Sequence, residues 1–302
     1  MTEDLGQQWA SHMRHGELEA AWAVSDTVLR SHAGKPCWHL PRHEQYIWDG
    51  TPLDGRRVLI RCYHGLGDTI QFIRYAPLVK SIAAEVVVWA QPELIPLLRS
   101  AEGIDRLEPL HDGVPDFEYD VDVEVMELPY IFRSTLATLP ARLPYLHAEP
   151  DSLERSGEFR VGLVSRVGNW DHERSIPGDL LAPLTQIPGV EVQLLHPDGD
   201  SISGIRAARG LDTIMRTARL MRALDLVISV DSMPAHLAGA LGVPAWTLLR
   251  HEADWRWMAE RDDSPWYPGM RLFRQEREGE WEPVIGRVLA ALERRTTRGT
   301  RA

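Results

Sequence analysis

The stretch 226–241, LVISVDSMPAHLAGAL, limits what the chain can fold into more than any other part of its 302 residues. Leu226 to Val230 is a short apolar, β-branched run, the length of one buried strand. Asp231 and Ser232 follow, and both residue types suit a helix N-cap. Pro234 lies near the first helical position, where its missing N–H costs nothing. Small and apolar residues then continue to Leu241, and Gly242 suits the stop. The pattern predicts a strand, a tight turn and a helix N-terminus pointing outward. Free backbone N–H groups and the positive dipole end make that a place for an anion, most often phosphate. His236, in the first turn, is close enough to add a donor. An ordinary capped β-turn-α unit reads the same way on local physics.

Similar units recur on either side of residue 150. In the first half, strands are expected at 58–63, 85–90 and 103–110, with helices at 69–81 and 92–99. An acidic loop from 112 leads into an alternating segment (Val121, Val123, Val125), and a helix is expected over 128–139. After a polar linker at 151–158, strands are expected at 159–165, 190–195, 226–230 and 245–249, with helices at 178–186 and 211–224. This alternation indicates βαβ units and parallel sheets. Before them, residues 3–31 carry apolar faces at helical spacing (Trp9, Met13, Leu18, Trp22, Leu29), broken at Gly16 into an αα-hairpin. The hairpin resembles one tetratricopeptide unit. Such a unit buries its faces only against neighbours, so it must pack on the main body or on a second copy of the chain. The expected organisation is a hairpin over 1–36, a connector over 37–56, α/β domains over 57–150 and 151–280, a C-terminal helix over 281–294, and a disordered tail over 295–302.

Composition narrows the function. A formal net charge of −11 argues against nucleic acid or an anionic membrane as partner. Two cysteines, Cys37 and Cys62, fit a reducing compartment rather than a disulfide framework. The sequence shows no run of about 18 apolar residues and no secretory leader, so a cytoplasmic protein without a membrane span is expected. His32, His39 and His43 match no compact ligand spacing, and no metal site is expected. Lys35 and Lys80 are the lysines; every other basic residue is arginine.

The turn after the first strand, His64-Gly65-Leu66-Gly67-Asp68, is neither a dinucleotide fingerprint nor a P-loop, because it lacks both G-x-G-x-x-G and Gly-Lys-Ser/Thr. Gly65 and Gly67 let backbone approach a ligand closely. Asp68 sits at the following helix start. It reads either as an N-cap or as a carboxylate at the C-terminal edge of a parallel sheet, where it can take a proton from a hydroxyl nucleophile.

In order along 48–293 come HGLGDTIQFIRYAPLVK, WAQPELIPLL, VGLV, RSIP, DLVISVDSMPAHLAGALGVPAWTLL and DWRWMAERDDSPWYPGMRLFRQ. This series resembles glycosyltransferase family nine, the heptosyltransferase-like enzymes, and most of all the branch with tetratricopeptide repeats before the transferase domain. The resemblance implies a GT-B-like α/β fold: two Rossmann-like domains facing across a cleft, the first for the acceptor and the second for the nucleotide sugar, with the last helix crossing back to the first. It implies an inverting, metal-independent sugar transfer with no cofactor. The donor would be an ADP-heptose-like or UDP-sugar, and the acceptor a saccharide or protein hydroxyl. Asp68 falls at the catalytic position, and Asp231, Ser232 and His236 fall in the donor-binding stretch. The loop after VGLV is shorter than in related proteins and has no lysine, so Arg166 or Arg174 is left to supply the phosphate cation. That shortening also favours a competing reading, a non-catalytic relative that keeps the fold as a binding or scaffold protein. A sugar-nucleotide epimerase or oxidoreductase would need the absent fingerprint. In the aromatic stretch 254–267, Trp255, Trp257, Trp266 and Tyr267 read either as a sugar or base platform or, on packing area, as an anchor for the C-terminal segment.

Overall fold

The computed structural model describes residues 4–37, 40, 45–153, 157–167, 171–196, 202, 205–208 and 211–299. The chain forms two compact units. One is Met1–His147 with Asp254–Glu260; the other is Ala148–Ala253 with Arg261–Ala302.

The first unit opens with the expected hairpin, α1 (Leu5–Arg14) and α2 (Leu18–His32). Gly16 makes the turn between them at φ +73, a conformation that favours glycine. The hairpin packs on its own unit. The Trp22 indole donates to the Ser134 carbonyl at 2.7 Å, and Asp26 accepts from Tyr130 and pairs with Arg133. Met13, Leu18, Ala21 and Trp22 are buried there, while Trp9 and Leu29 stay half-buried.

β1 (Arg57–Arg61), α3 (Leu66–Phe72), α4 (Ala76–Ile82), β2 (Glu85–Ala90), α5 (Ile95–Leu98), β3 (Arg106–Pro109), β4 (Val121–Glu124) and α6 (Leu128–Ile131) follow. The sheet is parallel in the order β3-β2-β1-β4, with Arg61 opposite both Trp89 and Glu124. Leu59, Ile60, Val87 and Val88 are fully buried, as expected of parallel strands covered on both faces. Arg61 is also buried, and it pairs with Asp122 among the rings of Tyr63, Trp89 and Tyr119.

The second unit contains β5 (Phe159–Val164), α7 (Gly178–Leu181), β6 (Val190–Leu194), β7 (Arg206–Ala207), α8 (Ile214–Arg222), β8 (Leu226–Val230), α9 (Met233–Ala240), β9 (Ala245–Leu249), β10 (Met270–Arg274) and α10 (Glu282–Gly299). Its parallel sheet runs β10-β9-β8-β5-β6-β7.

Several expected boundaries move. The helix expected over 69–81 starts at Leu66 and is interrupted by a 3-10 turn, Ile73–Tyr75. The helix expected over 128–139 stops at Ile131, two residues before Arg133 takes a positive φ of 46°. β7 and β10 were not expected. The tail expected to be disordered from 295 is helical to Gly299, and 300–302 lie outside the described residues. The last helix groups with the second unit, packing on β10 and α7; the segment that groups with the first unit is Asp254–Glu260. No helix among the described residues is long and apolar enough to cross a membrane.

Candidate active site

In the first unit the strand order reverses between β1 and β4. The turns leaving those two strands therefore meet at the C-terminal edge, where α/β sheets bind ligands. The turn after β1 carries Asp68, but not as an N-cap. Gly65 is the N-cap of α3, and Asp68 stands in the first turn, its Oδ2 accepting the Gly65 N–H at 2.9 Å. A Cβ on Gly65 would lie 3.2 Å from that oxygen, so glycine keeps the approach open. Gly67 lies inside the first turn of α3. Gln91, just past β2, steadies the turn by accepting from Thr69 Oγ1 and donating to the His64 carbonyl, each at 2.9 Å.

The second Asp68 oxygen, Oδ1, accepts from Arg256 Nη2 at 2.7 Å. Arg256 is almost fully buried and lies on the 3-10 turn Trp255–Trp257. Its Nη1 and its backbone N–H both reach Asp254 Oδ1, and its guanidinium stacks over Trp255 at 4.4 Å. Sequence reasoning weighed only the aromatic rings of this stretch, as platform or as packing, and missed Arg256 as a partner of Asp68.

It also missed two carboxylates at the end of β4. Glu124 caps the 3-10 turn Val125–Glu127 through the Met126 N–H at 2.6 Å, and its buried Oε1 has no hydrogen-bond partner. Burial pushes its pKa well above the carboxylate range; the charges of Glu127 and Asp68 add to this, and Arg256 opposes it. Glu127 is buried too, and burial raises its pKa to about 7 against the hydrogen bonds it accepts from Glu124, Trp48 and Ile47. The acidic composition of 112–127 was visible in the sequence, but not which carboxylates turn inward.

In the second unit the reversal falls between β8 and β5. Asp231 and Ser232 leave β8, while Ser165 and Arg166 leave β5. Arg174, at the end of the 3-10 turn His172–Arg174, joins the two sides. Its Nη1 is 3.2 Å from Asp231 Oδ2, and its Nε donates to Asp171 at 2.7 Å. Both partners are largely shielded, at 15% and 9% side-chain exposure, so water screens the pair only weakly. Arg274, at the end of β10, was not singled out from sequence. Burial pulls its pKa down, and the charge of Asp231 works the other way.

Ser232 is the N-cap of α9, but its hydroxyl donates to the Val230 carbonyl at 3.2 Å rather than capping the helix. The first N–H groups of α9 thus have no side-chain cap, as an anion site requires. His236 departs from the expectation of an open donor. It is 5% exposed, with Nδ1 2.9 Å from the Tyr267 hydroxyl, because Gly239 lets the Tyr267 ring lie against α9. Arg166 stands exposed on the turn after β5, and loop residues 168–170 lie outside the described residues.

Trp257, Trp266 and Tyr267 are fully buried, as packing anchors should be. Among the described residues no group of three His, Cys, Asp or Glu is placed to hold a metal ion; His39 and His43 lie outside them.

No family model matches the chain. The curated protein FlbA of Caulobacter vibrioides is 29% identical to it, aligned over 81% of this chain and 48% of its own length. The chain thus spans about half the length of the curated relative it matches. Three solved structures share the fold. A family 9 glycosyl transferase from Veillonella parvula superposes with a TM-score of 0.56 at 13% identity, over 74% of this chain and 87% of that one. The E. coli heptosyltransferase WaaC with ADP gives 0.54 at 13%, over 80% and 98%. The dodecameric iron-containing glycosyltransferase TibC of enterotoxigenic E. coli gives 0.52 at 15%, over 66% and 59%. The chain has the α/β fold of the GT-B-like heptosyltransferase structures, with parallel sheets in both units and a helical hairpin at its start.

Proposed function

We propose that the chain is a nucleotide-sugar glycosyltransferase that inverts the anomeric centre without a metal. The observation that carries this reading is the pairing of Arg174 with Asp231 beside the uncapped N-terminus of α9, at the strand reversal of the second sheet. That arrangement suits a diphosphate: helix N–H groups on one side, a shielded guanidinium on the other. The likeness to structures of family 9 transferases, one of them holding ADP, points the same way.

In this reading the diphosphate lies at α9, contacted by Arg174, by the turn at Asp231 and Ser232, and by Arg166 from the turn after β5. His236 acts from beneath, fixing α9 against Tyr267. Asp68 takes the proton from an acceptor hydroxyl as its oxygen bonds to the sugar's anomeric carbon. The bond from that carbon to the diphosphate breaks on the opposite face, which inverts the centre, and the leaving charge falls to the arginines and helix N–H groups. Asp68 accepts hydrogen bonds on both oxygens, and each oxygen keeps a lone pair for the incoming proton. The donor is an ADP-heptose-like or UDP-sugar, and the acceptor a saccharide or protein hydroxyl.

Calorimetric titration with ADP, UDP and GDP tests the site. One of them should bind, and Arg174→Ala should weaken it by roughly ten- to a hundred-fold, the loss of one charge-assisted contact. If none binds at millimolar concentration, the non-catalytic reading replaces this one.

A further inference from the structure

One short segment joins the N-terminal hairpin to the candidate base. Asp254–Glu260 belongs to the first unit, although the residues on either side of it group with the second. It lies along α1 as a strap. The Ala259 N–H donates to the Arg14 carbonyl at 2.8 Å, and the Trp255 ring meets Trp9 edge-on at 5.1 Å. The Met258 sulfur sits where Gly16 leaves room, 3.4 Å from where a Cβ would be. Met258 itself has φ 49 and ψ 159, a region of backbone space nearly confined to glycine. Such a conformation lasts only where the surroundings over-determine it, and the contacts around Met258 include those to the hairpin. Two residues earlier on the same strap, Arg256 is fixed by Asp254 and Trp255 and reaches Asp68.

We propose that the hairpin holds this strap in its strained form, and that Arg256, so held, is the positioning residue that aims the Asp68 carboxylate. The proposal rests on Asp68 being the base, and it gives the hairpin a part in the reaction beyond covering apolar surface. Arginine suits the task. Its planar fork donates to Asp254 and Asp68 at once, and that fixes an orientation which the single ammonium of lysine cannot. The Gly65 N–H fixes the other carboxylate oxygen, so the plane of the carboxyl is set from two sides.

The test uses the full chain and follows the Gly65 amide, which reports on the Asp68 carboxylate directly. Arg256→Lys should speed hydrogen exchange at that amide by about tenfold, as local opening becomes easier. Trp9→Ala, whose site of change lies on α1, should do the same, and Trp9→Phe should restore the slow rate. Combining Trp9→Ala with Arg256→Lys should add little to either change alone. Met258→Gly, which relieves the backbone strain, should blunt the effect of Trp9→Ala. If Trp9→Ala does not fold, the milder Trp9→Leu takes its place. In a transfer assay the same variants should lower kcat while the donor KM stays unchanged. Unaltered Gly65 exchange in Arg256→Lys would overturn the role of Arg256. Unaltered exchange in a folded Trp9→Ala would overturn the role of the hairpin. Both results stand whether or not the chain transfers sugar, so failure of the proposed function is read separately, from nucleotide titration.

Discussion

Asp68, Glu124 and Glu127 crowd the ends of two neighbouring strands, yet each meets a different environment. Asp68 keeps a shielded arginine, whereas Glu124 is buried with one oxygen unpartnered. If Asp68 is the base, Asp68→Asn keeps the shape and loses the proton acceptor. Turnover should fall by roughly 10²-fold or more while nucleotide affinity holds; near-normal turnover would remove Asp68 from the mechanism. Glu127 leads to a pH prediction. Its folded pKa of about 7 stands above the ordinary 4.5, so the fold prefers its neutral form. The stabilisation it provides is complete below pH 4.5 and is lost as pH rises through 7, on the order of 3 kcal/mol in all. Glu127→Gln turns an amide NH₂ toward N–H donors of Trp48 or Glu124 and should cost about 1–3 kcal/mol. Denaturant unfolding should find that penalty largest below pH 4.5 and shrinking toward neutrality. A penalty that grows with pH would mean that the ionised carboxylate is the stabilising form.

The elements that local pattern decides were legible in the sequence. β8 and α9 fall where the apolar run, Ser232 and Pro234 put them, and the hairpin breaks at Gly16. What escaped was set by partners far along the chain. Arg256 meets Asp68 across 188 positions, and a bond that long leaves no periodic trace. β10 buries Met270, Leu272 and Phe273 without strict alternation, and it follows a Trp- and Arg-rich stretch, so no period of two marked it. That Asp231, Ser232 and Arg174 are candidates was legible from the turn residues at 231–232 and from the family resemblance, and the structure brings Arg174 to Asp231. The burial of His236 was not, because it depends on Tyr267. That packing gives an element-scale prediction. A Cβ at position 239 would stand 2.3 Å from the Tyr267 ring, so Gly239→Ala must displace the ring or the helix. It should destabilise the second unit by about 1–3 kcal/mol. Nucleotide binding should weaken with it if α9 carries the phosphate site. Calorimetry and thermal melting check both, and an unchanged melting temperature would show that the ring yields freely.

At the scale of the whole molecule, a net charge of −11 leaves the arginines near the strand ends as local exceptions in an acidic protein. The first unit is discontinuous in sequence, since Asp254–Glu260 completes it. A fragment ending at His147 would lack that segment and leave the faces of Trp9 and Phe72 that pack on Trp255 uncovered. It should bind a hydrophobic dye and melt below the full chain; a fragment as stable as the parent, with no dye binding, would argue against any structural need for the segment. The same discontinuity bears on how the protein is born. On the ribosome Asp68 emerges 188 residues ahead of the arginine that pairs with it. At roughly 5–20 residues per second, that is about 10–40 s in which the nascent N-terminal half is exposed with an aromatic patch and an unmatched carboxylate. Any chaperone that attends this chain during translation has its target there, and release waits until most of the C-terminal half has also been made.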